Sequence, residues 1–391
     1  MKVAINAVSA KMGGALAYLR NFLPTLAALD PVNDYTVFMQ SSLAGEFASS
    51  APGITIASDP AAESGEAGRL IFDQWRLRRF LRQNHFDCVF SIANFAVLRP
   101  PAAQVLSMRN AIHFCRHYYP HVRAFEGRRA EAKVAMRRRM MTWSCASSDT
   151  VVTPTAAMRD LLFDWGAAEP EKCVVIPHGF DRDTFLAMKG GLSHDVAAKL
   201  KRCDDETLLL YPSLYARHKN YDTLVRCLDR LRSRGRRVRL LVTCTIDPDS
   251  DPYQRATSEL ISRLNTADMV TMLGIQPYSS MPHVYRAADL IVWPTFAESF
   301  GHPLLETMAC SRPIVASSIP VNREVAGEGA LYFETFDEND LADKVEQALE
   351  PGTARRLIDA GALRVKDFSW KAHVAAFVAL FENGGRPPQD R

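Results

Sequence analysis

At 391 residues the chain is too long for one ordinary hydrophobic core, so two domains are expected. Its 47% hydrophobic and 23% charged residues describe a folded protein, which excludes wholesale disorder. A net charge of +3 is too small to point to nucleic acid, and no run approaches the ~20 apolar residues of a membrane span. The eight cysteines (Cys88, Cys115, Cys145, Cys173, Cys203, Cys227, Cys244 and Cys310) are scattered without a CxxC pair or metal-like spacing. Several sit in apolar stretches such as FDCVFSI and LLVTCTI, as core residues of a reducing compartment do. The opening MKVAIN is too short an apolar run for a signal peptide, so a cytoplasmic protein is expected.

Residues 2–7 read as a buried strand, followed by a polar loop with Gly13-Gly14. A helix then begins near Ala15, with Leu16, Leu19, Leu23 and Leu26 close to helical spacing. Strands are predicted at 35–39 and 54–57, a flexible loop at 59–68 (DPAAESGEAG), an arginine-rich helix at 72–84, and strands at 88–91 and 104–108. Val151-Val152-Thr153 is a short strand before a helix that Thr155 caps, and 173–176 a strand ending in Pro177-His178-Gly179. Residues 181–206 carry no strand signal and include Gly190-Gly191, as a connection between domains does. Alternation restarts from Thr207, with strands at 208–213, 238–244, 270–273, 290–293 and 314–316, and helices at 221–233, from 253, at 281–288 and at 303–310. Two βαβ runs separated by a linker imply two doubly wound α/β domains facing each other across a cleft. The tail GGRPPQDR is expected to be disordered.

FAESFGHPLLETMACSRPIVAS carries the strongest chemical signal. Pro294 ends a strand, 295–301 form a loop at its carboxyl end, and Pro303 has the fixed φ of a first helical position. That is the ligand crevice of an open α/β sheet, and the helix N-terminus beside it suits an anion. Glu298 and Glu306 would repel a diphosphate unless each accepts hydroxyl hydrogen bonds, one from a sugar and one from a ribose. Read alone, they are equally a surface acid and a helix-dipole acid.

The surrounding residues resemble the donor motif of the retaining GT-B glycosyltransferases (glycosyl transferases group 1, family 4). The matches are Glu298, Ser299, Phe300, Gly301, Pro303, Glu306, Met308, Ala309, Pro313, Val315 and Ala316, with Ser311 where the family usually has glycine. The resemblance continues through Leu273-Gly274, Tyr285, Ala287-Ala288-Asp289 and Val292-Trp293-Pro294-Thr295, and downstream through Pro320, Glu324-Val325-Ala326-Gly327 and Ala330-Leu331-Tyr332-Phe333. HKNYDTLVRCL resembles the family's phosphate-binding lysine segment, and IPHGFDRDTF its interdomain motif. It implies that Glu298 binds donor-sugar hydroxyls, Glu306 the ribose, and Lys219 the donor phosphates. Amides near Ser299, Phe300 and Gly301 would hold the diphosphate or sugar. Gly274, Ile275 and Gln276 would line the base site, and Gly13 and Gly14 would form a loop closing on the substrates. Where many relatives have an arginine five residues before the lysine, this chain has Leu214; Arg217 is a phosphate ligand or a solvent-facing residue. Where many have a catalytic-pocket His-Asp pair, it has Arg109-Asn110, with His113 three residues later, so Arg109 and Asn110 are placed in that pocket and His113 reads as an ordinary partly buried histidine or as the pocket's histidine.

The expected protein is thus an α/β GT-B enzyme with a Rossmann-like acceptor-side domain at 1–185, a connection at 186–206 and a Rossmann-like nucleotide-sugar domain at 207–370. Residues 371–391 supply a helix packing back towards the first domain, and then the tail. It would be a retaining, metal-independent, hexosyltransferase-like enzyme without a cofactor, its nucleoside-diphosphate sugar being the donor substrate. The acceptor would be a glycan or lipid-linked hydroxyl in polysaccharide or surface-glycan biosynthesis. The arginines between Arg116 and Arg139, and Trp75-Arg76-Leu77-Arg78-Arg79, lie in the half where this family binds acceptors. They read as a solvated face or as a peripheral contact with the anionic inner face of the cytoplasmic membrane. Asp247, Asp249 and Asp251 have the Asp-x-Asp spacing of a metal clamp but are set among turn residues, and read as a surface turn. No GxGxxG follows a strand, which removes a nicotinamide enzyme. The alternatives are a nucleotide-sugar 2-epimerase or a noncatalytic sugar-nucleotide-binding protein on the same architecture.

Overall fold

Thirteen strands form two sheets in the computed structural model, which describes residues 1–11 and 13–387. The first sheet has the order β3-β2-β1-β4-β5-β6-β7 and contains β1 (Lys2–Asn6), β2 (Asp34–Phe38), β3 (Thr55–Ala57), β4 (Cys88–Ser91), β5 (Ala103–Ser107), β6 (Thr150–Thr153) and β7 (Cys173–Val175). The second has the order β10-β9-β8-β11-β12-β13, from β8 (Thr207–Tyr211), β9 (Val238–Val242), β10 (Val270–Met272), β11 (Leu290–Trp293), β12 (Ile314–Ser317) and β13 (Leu331–Phe333). The strand pairs described are parallel. Parallel strands are covered on both faces, which is why LIVW, IVAS and CVFS are buried throughout instead of alternating.

In each sheet the chain winds outward one way, then returns to the centre and winds the other way. The reversal opens a crevice between the carboxyl ends of β1 and β4 in one sheet and of β8 and β11 in the other. The chain divides into two compact units: Met1–Phe114, Lys133–Gly179 and Phe368–Arg391 form one, Cys115–Ala132 and Phe180–Asp367 the other. Residues 186–206 thus belong to the second unit, where they include the helix His194–Lys199.

In the first unit, helix Gly13–Leu29 buries Leu19, Phe22, Leu23 and Leu26. Helix Trp370–Glu382 joins the same core through Val374, Phe377, Leu380 and Phe381. Thr155 caps its helix by accepting a hydrogen bond from the Met158 amide at 3.1 Å. Of the tail, residues 388–391 lie outside the described residues; the Gly385 carbonyl accepts from Thr150 Oγ1 at 2.7 Å.

Residues 59–68 correct the sequence reading. Instead of a loop they form the helix Pro60–Glu63 and the start of Gly65–Ile71. Asp59, Pro60 and Ser64 were turn signals, but Asp59 is an N-cap accepting from the Ala61 amide at 2.8 Å and Pro60 opens the helix. A π-helical turn, Phe72–Leu77, follows. Gly68, Phe72, Leu77 and Leu81 are buried at spacings of four, five and four, and the wider turn lets the fifth residue face inward. The arginine-rich segment makes two helices, Tyr118–Glu126 and Arg128–Ala146, broken at Gly127.

Gly179 lies against Trp370: a Cβ there would sit 2.6 Å from the indole Cδ2 and closer still to the Trp370 backbone. Gly179→Ala should cost about 2 kcal/mol in urea unfolding, the usual penalty of overpacking. Gly191→Ala, whose methyl would meet nothing within 4 Å, should stay within about 0.5 kcal/mol of the parent.

Candidate functional site

The loops leaving β8 and β11 meet at the reversal point of the second sheet. Asn220, in the left-handed region at φ 55°, donates from Nδ2 to the Pro294 carbonyl at 3.0 Å and accepts from Thr223 Oγ1 at 2.8 Å. The His218 carbonyl accepts from the Phe296 amide and from Thr295 Oγ1, both at 2.9 Å. Tyr211, the last residue of β8, donates its hydroxyl to the Lys219 carbonyl at 2.9 Å. These bonds satisfy backbone groups that two irregular loops would otherwise leave orphaned.

Lys219 Nζ donates to Glu298 Oε1 at 2.5 Å, and both side chains are only 14% exposed. The ammonium also lies 4.8 Å from the centre of the Trp293 ring. Burial, and then the Lys219 charge, push the His218 imidazole well below its usual pKa.

Glu306 is buried in the helix His302–Ala309. Its Oε2 accepts from the Tyr285 hydroxyl at 2.6 Å, and the Tyr278 phenol lies near enough to favour its charged form. Burial raises its pKa above the ordinary value, and the two phenols offset that only in part. At the start of this helix Gly301 has φ 89°, where a side chain would be strained and would press on Leu304 at 3.2 Å. Ser299 is half-buried, and Phe300 is buried beside the His302 ring. Gly274 and Ile275 follow β10; the Ile275 side chain is exposed, and Gln276 Nε2 donates to the Leu273 carbonyl at 2.6 Å. Arg217 forms an ion pair with Glu126, so it does not simply face solvent.

In the first unit Gly13 and Gly14 open the helix Gly13–Leu29 beyond β1. The Arg109 guanidinium lies 4.2 Å from the centre of the Tyr18 ring, and burial lowers its pKa. Its amide donates to Asn94 Oδ1 at 2.8 Å. Tyr18 is held in turn by His373. The Pro177 carbonyl accepts from His373 Nδ1 at 2.7 Å, which leaves Nε2 to accept from the Tyr18 hydroxyl at 2.9 Å. Asn110 Oδ1 accepts from the Ile112 amide and from His113 Nδ1, both at 3.1 Å. Burial, reinforced by Arg137, lowers the His113 pKa to about 4. Asp251 caps the helix Pro252–Arg263, and Asp247 accepts from the Asp249 amide at 3.0 Å, so the Asp-x-Asp run is built as a turn and a cap.

The second unit thus brings Lys219 together with Glu298, and the first places Arg109 beside Asn110. Sequence reasoning gave no role to the phenols on Glu306, to Tyr18 and His373, or to Glu126. Tyr285 stood within the matched pattern, which was a signal; Glu126 lies 91 positions from Arg217 and had none.

Two doubly wound sheets with the acidic loop at a reversal point define the GT-B architecture. Residues 195–364 match the model of the glycosyl transferases group 1, and residues 12–184 that of glycosyltransferase family 4. The chain belongs to this GT-B group 1/family 4 class. It is similar to a D-inositol 3-phosphate glycosyltransferase of Stackebrandtia nassauensis, 31% identical over 237 residues, 59% of this chain and 53% of that protein. The chain thus spans about half the length of this relative. Over 114 residues, 29% of this chain and 30% of the relative, it is 32% identical to the O-antigen chain mannosyltransferase B of Escherichia coli. Its fold matches sucrose-phosphate synthase of Thermosynechococcus elongatus (TM-score 0.74, 19% identity, 98% of both chains). It also matches Anabaena HepE, solved with UDP-glucose (TM-score 0.70, 16% identity, 98% of this chain and 100% of that one).

Because burial raises the Glu306 pKa above its unfolded value, this group favours the folded state at acid pH, and that contribution is lost as pH rises through the folded pKa. Glu306→Gln, which keeps an acceptor for Tyr285, should therefore melt higher than the parent at pH 8. The advantage should shrink towards pH 4, as read by thermal melts across that range.

Proposed function

We propose that this protein is a retaining glycosyltransferase that moves a sugar from a nucleoside-diphosphate sugar to a hydroxyl of a glycan or lipid-linked acceptor, in the assembly of polysaccharide or surface glycan. The observation that carries this reading is the Lys219–Glu298 pair at the reversal point of the second sheet. A diphosphate entering there competes with Glu298 for the ammonium. The freed carboxylate then accepts hydroxyl hydrogen bonds from the donor sugar. Glu306 accepts from the ribose, and the backbone at Gly274 and Ile275 receives the base.

In this reading the sugar passes through an oxocarbenium-like state as the diphosphate leaves. Lys219, with the amides of Ser299, Phe300 and Gly301, stabilises the departing charge. The acceptor attacks the face that the diphosphate vacates and gives its proton to a phosphate oxygen, so no protein nucleophile is needed. Arg109 and Asn110 act on the acceptor side. No step uses a metal; Asp247 and Asp251 already serve as turn and cap acceptors.

A thermal-shift screen with UDP, GDP, ADP and their sugars identifies the donor as the ligand that raises the melting temperature most. With that donor, transfer should persist in EDTA. It should fall at least about a hundredfold in Lys219→Ala and in Glu298→Gln while both variants remain folded. Near-parental transfer in both variants would sink the assignment, and an epimerised sugar nucleotide without a glycosylated acceptor would favour the epimerase alternative.

The cytoplasmic enzyme is further proposed to rest on the anionic inner face of the membrane through its first unit. Leu70, Ile71 and Trp75 are 51%, 52% and 69% exposed around the π-helical turn, and Arg79 and Arg82 are exposed on the turns that follow. Apolar side chains edged by arginines complement an anionic bilayer. The protein should cosediment with phosphatidylglycerol vesicles at low salt and less at high salt, and Ile71→Ser/Trp75→Ser should weaken binding several-fold. Binding unaffected by salt and by both substitutions would dismiss this surface.

A further inference from the structure

The chain between β5 and β6 makes an excursion: residues 115–132 pack within the second unit, although both flanking strands belong to the first sheet. Its helix, Tyr118–Glu126, meets the loops of the candidate donor site at two places. The His121 ring stacks on Phe296, with centroids 5.1 Å apart and planes 24° apart, and lies 6.1 Å from Phe336, which itself packs against Phe296. Cys115 Sγ also reaches the Phe296 carbonyl, at 3.6 Å. Five residues beyond His121, Glu126 pairs with Arg217, while Phe125 packs edge-on against Tyr253 at 5.2 Å.

The spacing gives these contacts their meaning. Phe296 precedes Glu298 by two residues, and Arg217 precedes Lys219 by two. One helix therefore grips both loops, each at the same short distance from its charged side chain, and the Phe296 amide to His218 carbonyl bond ties the gripped points together. Burial lowers the His121 pKa, and His117 and Arg217 add to this against the opposing charge of Asp222. The Arg217 side chain is 18% exposed and that of Glu126 34%, less open to solvent than an ordinary surface pair.

We propose that Glu126 and His121 are positioning residues of the donor site, Glu126 acting through Arg217 and His121 through Phe296 to hold Lys219 and Glu298 in register. This rests on the reading of that pair as the place where the donor binds. Glu126 touches no reacting atom in this scheme. By pairing with Arg217 it anchors the loop that carries Lys219, and His121 packs on Phe296 of the loop that carries Glu298.

Two measurements on the full chain test it. Hydrogen exchange at residues 216–220 and 294–300, followed without ligand, should accelerate about tenfold in His121→Ala and Glu126→Gln. His121→Phe, which keeps the stack, should restore slow exchange. In calorimetric titrations with UDP, GDP and ADP, the Kd of whichever nucleotide binds the parent should rise about tenfold in each variant. Glu126→Gln should add nothing in an Arg217→Gln background, because the two residues act as one unit. Parental exchange in both loops overturns the proposal, as does a nucleotide Kd unmoved by faster exchange, or full additivity of Glu126→Gln with Arg217→Gln. If no nucleotide binds the parent, the donor reading fails by itself, and the exchange result still decides whether the helix holds the loops.

Discussion

The Lys219–Glu298 pair is where the constraints on the second unit converge. A parallel sheet that reverses its winding must leave the ends of its two central strands without a bridging connection, and here those strands are β8 and β11. The loops that leave them are irregular, so their amides and carbonyls need partners beyond the strand ladder. Asn220, Thr295 and the His218 carbonyl supply these across the gap, and that stitching brings an ammonium and a carboxylate within hydrogen-bond distance. With both side chains largely covered, neither charge is tolerable alone. The pair therefore holds the loops in place, and in the proposed function it is what a diphosphate exchanges with.

The two glutamates of the motif sit in opposite electrostatic settings. Glu298 faces a cation. Glu306 faces phenol hydroxyls in a covered pocket, where neutral donors offset only part of the loss of water and the pKa stays raised. Such a carboxyl is costly to the fold, a cost that the proposed function explains by an acceptor kept for a hydroxyl ligand. This separates their proposed tasks more sharply than their eight-residue spacing does. Glu298 is tied to the Lys219 charge, whereas Glu306 is held by the neutral Tyr285 hydroxyl.

What was legible in the sequence follows the range of the interactions. Strands such as LIVW and VRLLV declare themselves because parallel packing requires apolar side chains on both faces, and Thr155 because a cap is a local bond. Glu298, Glu306 and Lys219 were found through a motif, and the structure adds that two of them touch. The loop expected at 59–68 failed because aspartate, proline and serine serve turns and helix ends alike; the burial of Ala62 and Gly68 decides between the two, and burial is not local. The packing of residues 115–132 was invisible for a related reason. Nothing in CRHYYPHVRAFE says which sheet it will cover, since its partners, Phe296 and Arg217, lie roughly 90 to 180 positions away.

The first unit shows the same dependence on distant chain. Arg109 stands at the end of β5 with its guanidinium over Tyr18, and a cation this covered keeps its place only if the ring beneath it is fixed. The ring is fixed by His373, whose tautomer is set by the Pro177 carbonyl. A residue at the end of one strand is thus oriented by a helix from the last twenty-five residues and by a carbonyl beyond β7. The region around Pro177 and Gly179 is also where the chain passes from one unit to the other, and Trp370 lies just after its return. The Pro177 carbonyl thus holds His373, and through it Tyr18 and Arg109. The close fit of Gly179 to Trp370, too tight for a single methyl group, packs the segment after Pro177 against the start of the helix Trp370–Glu382.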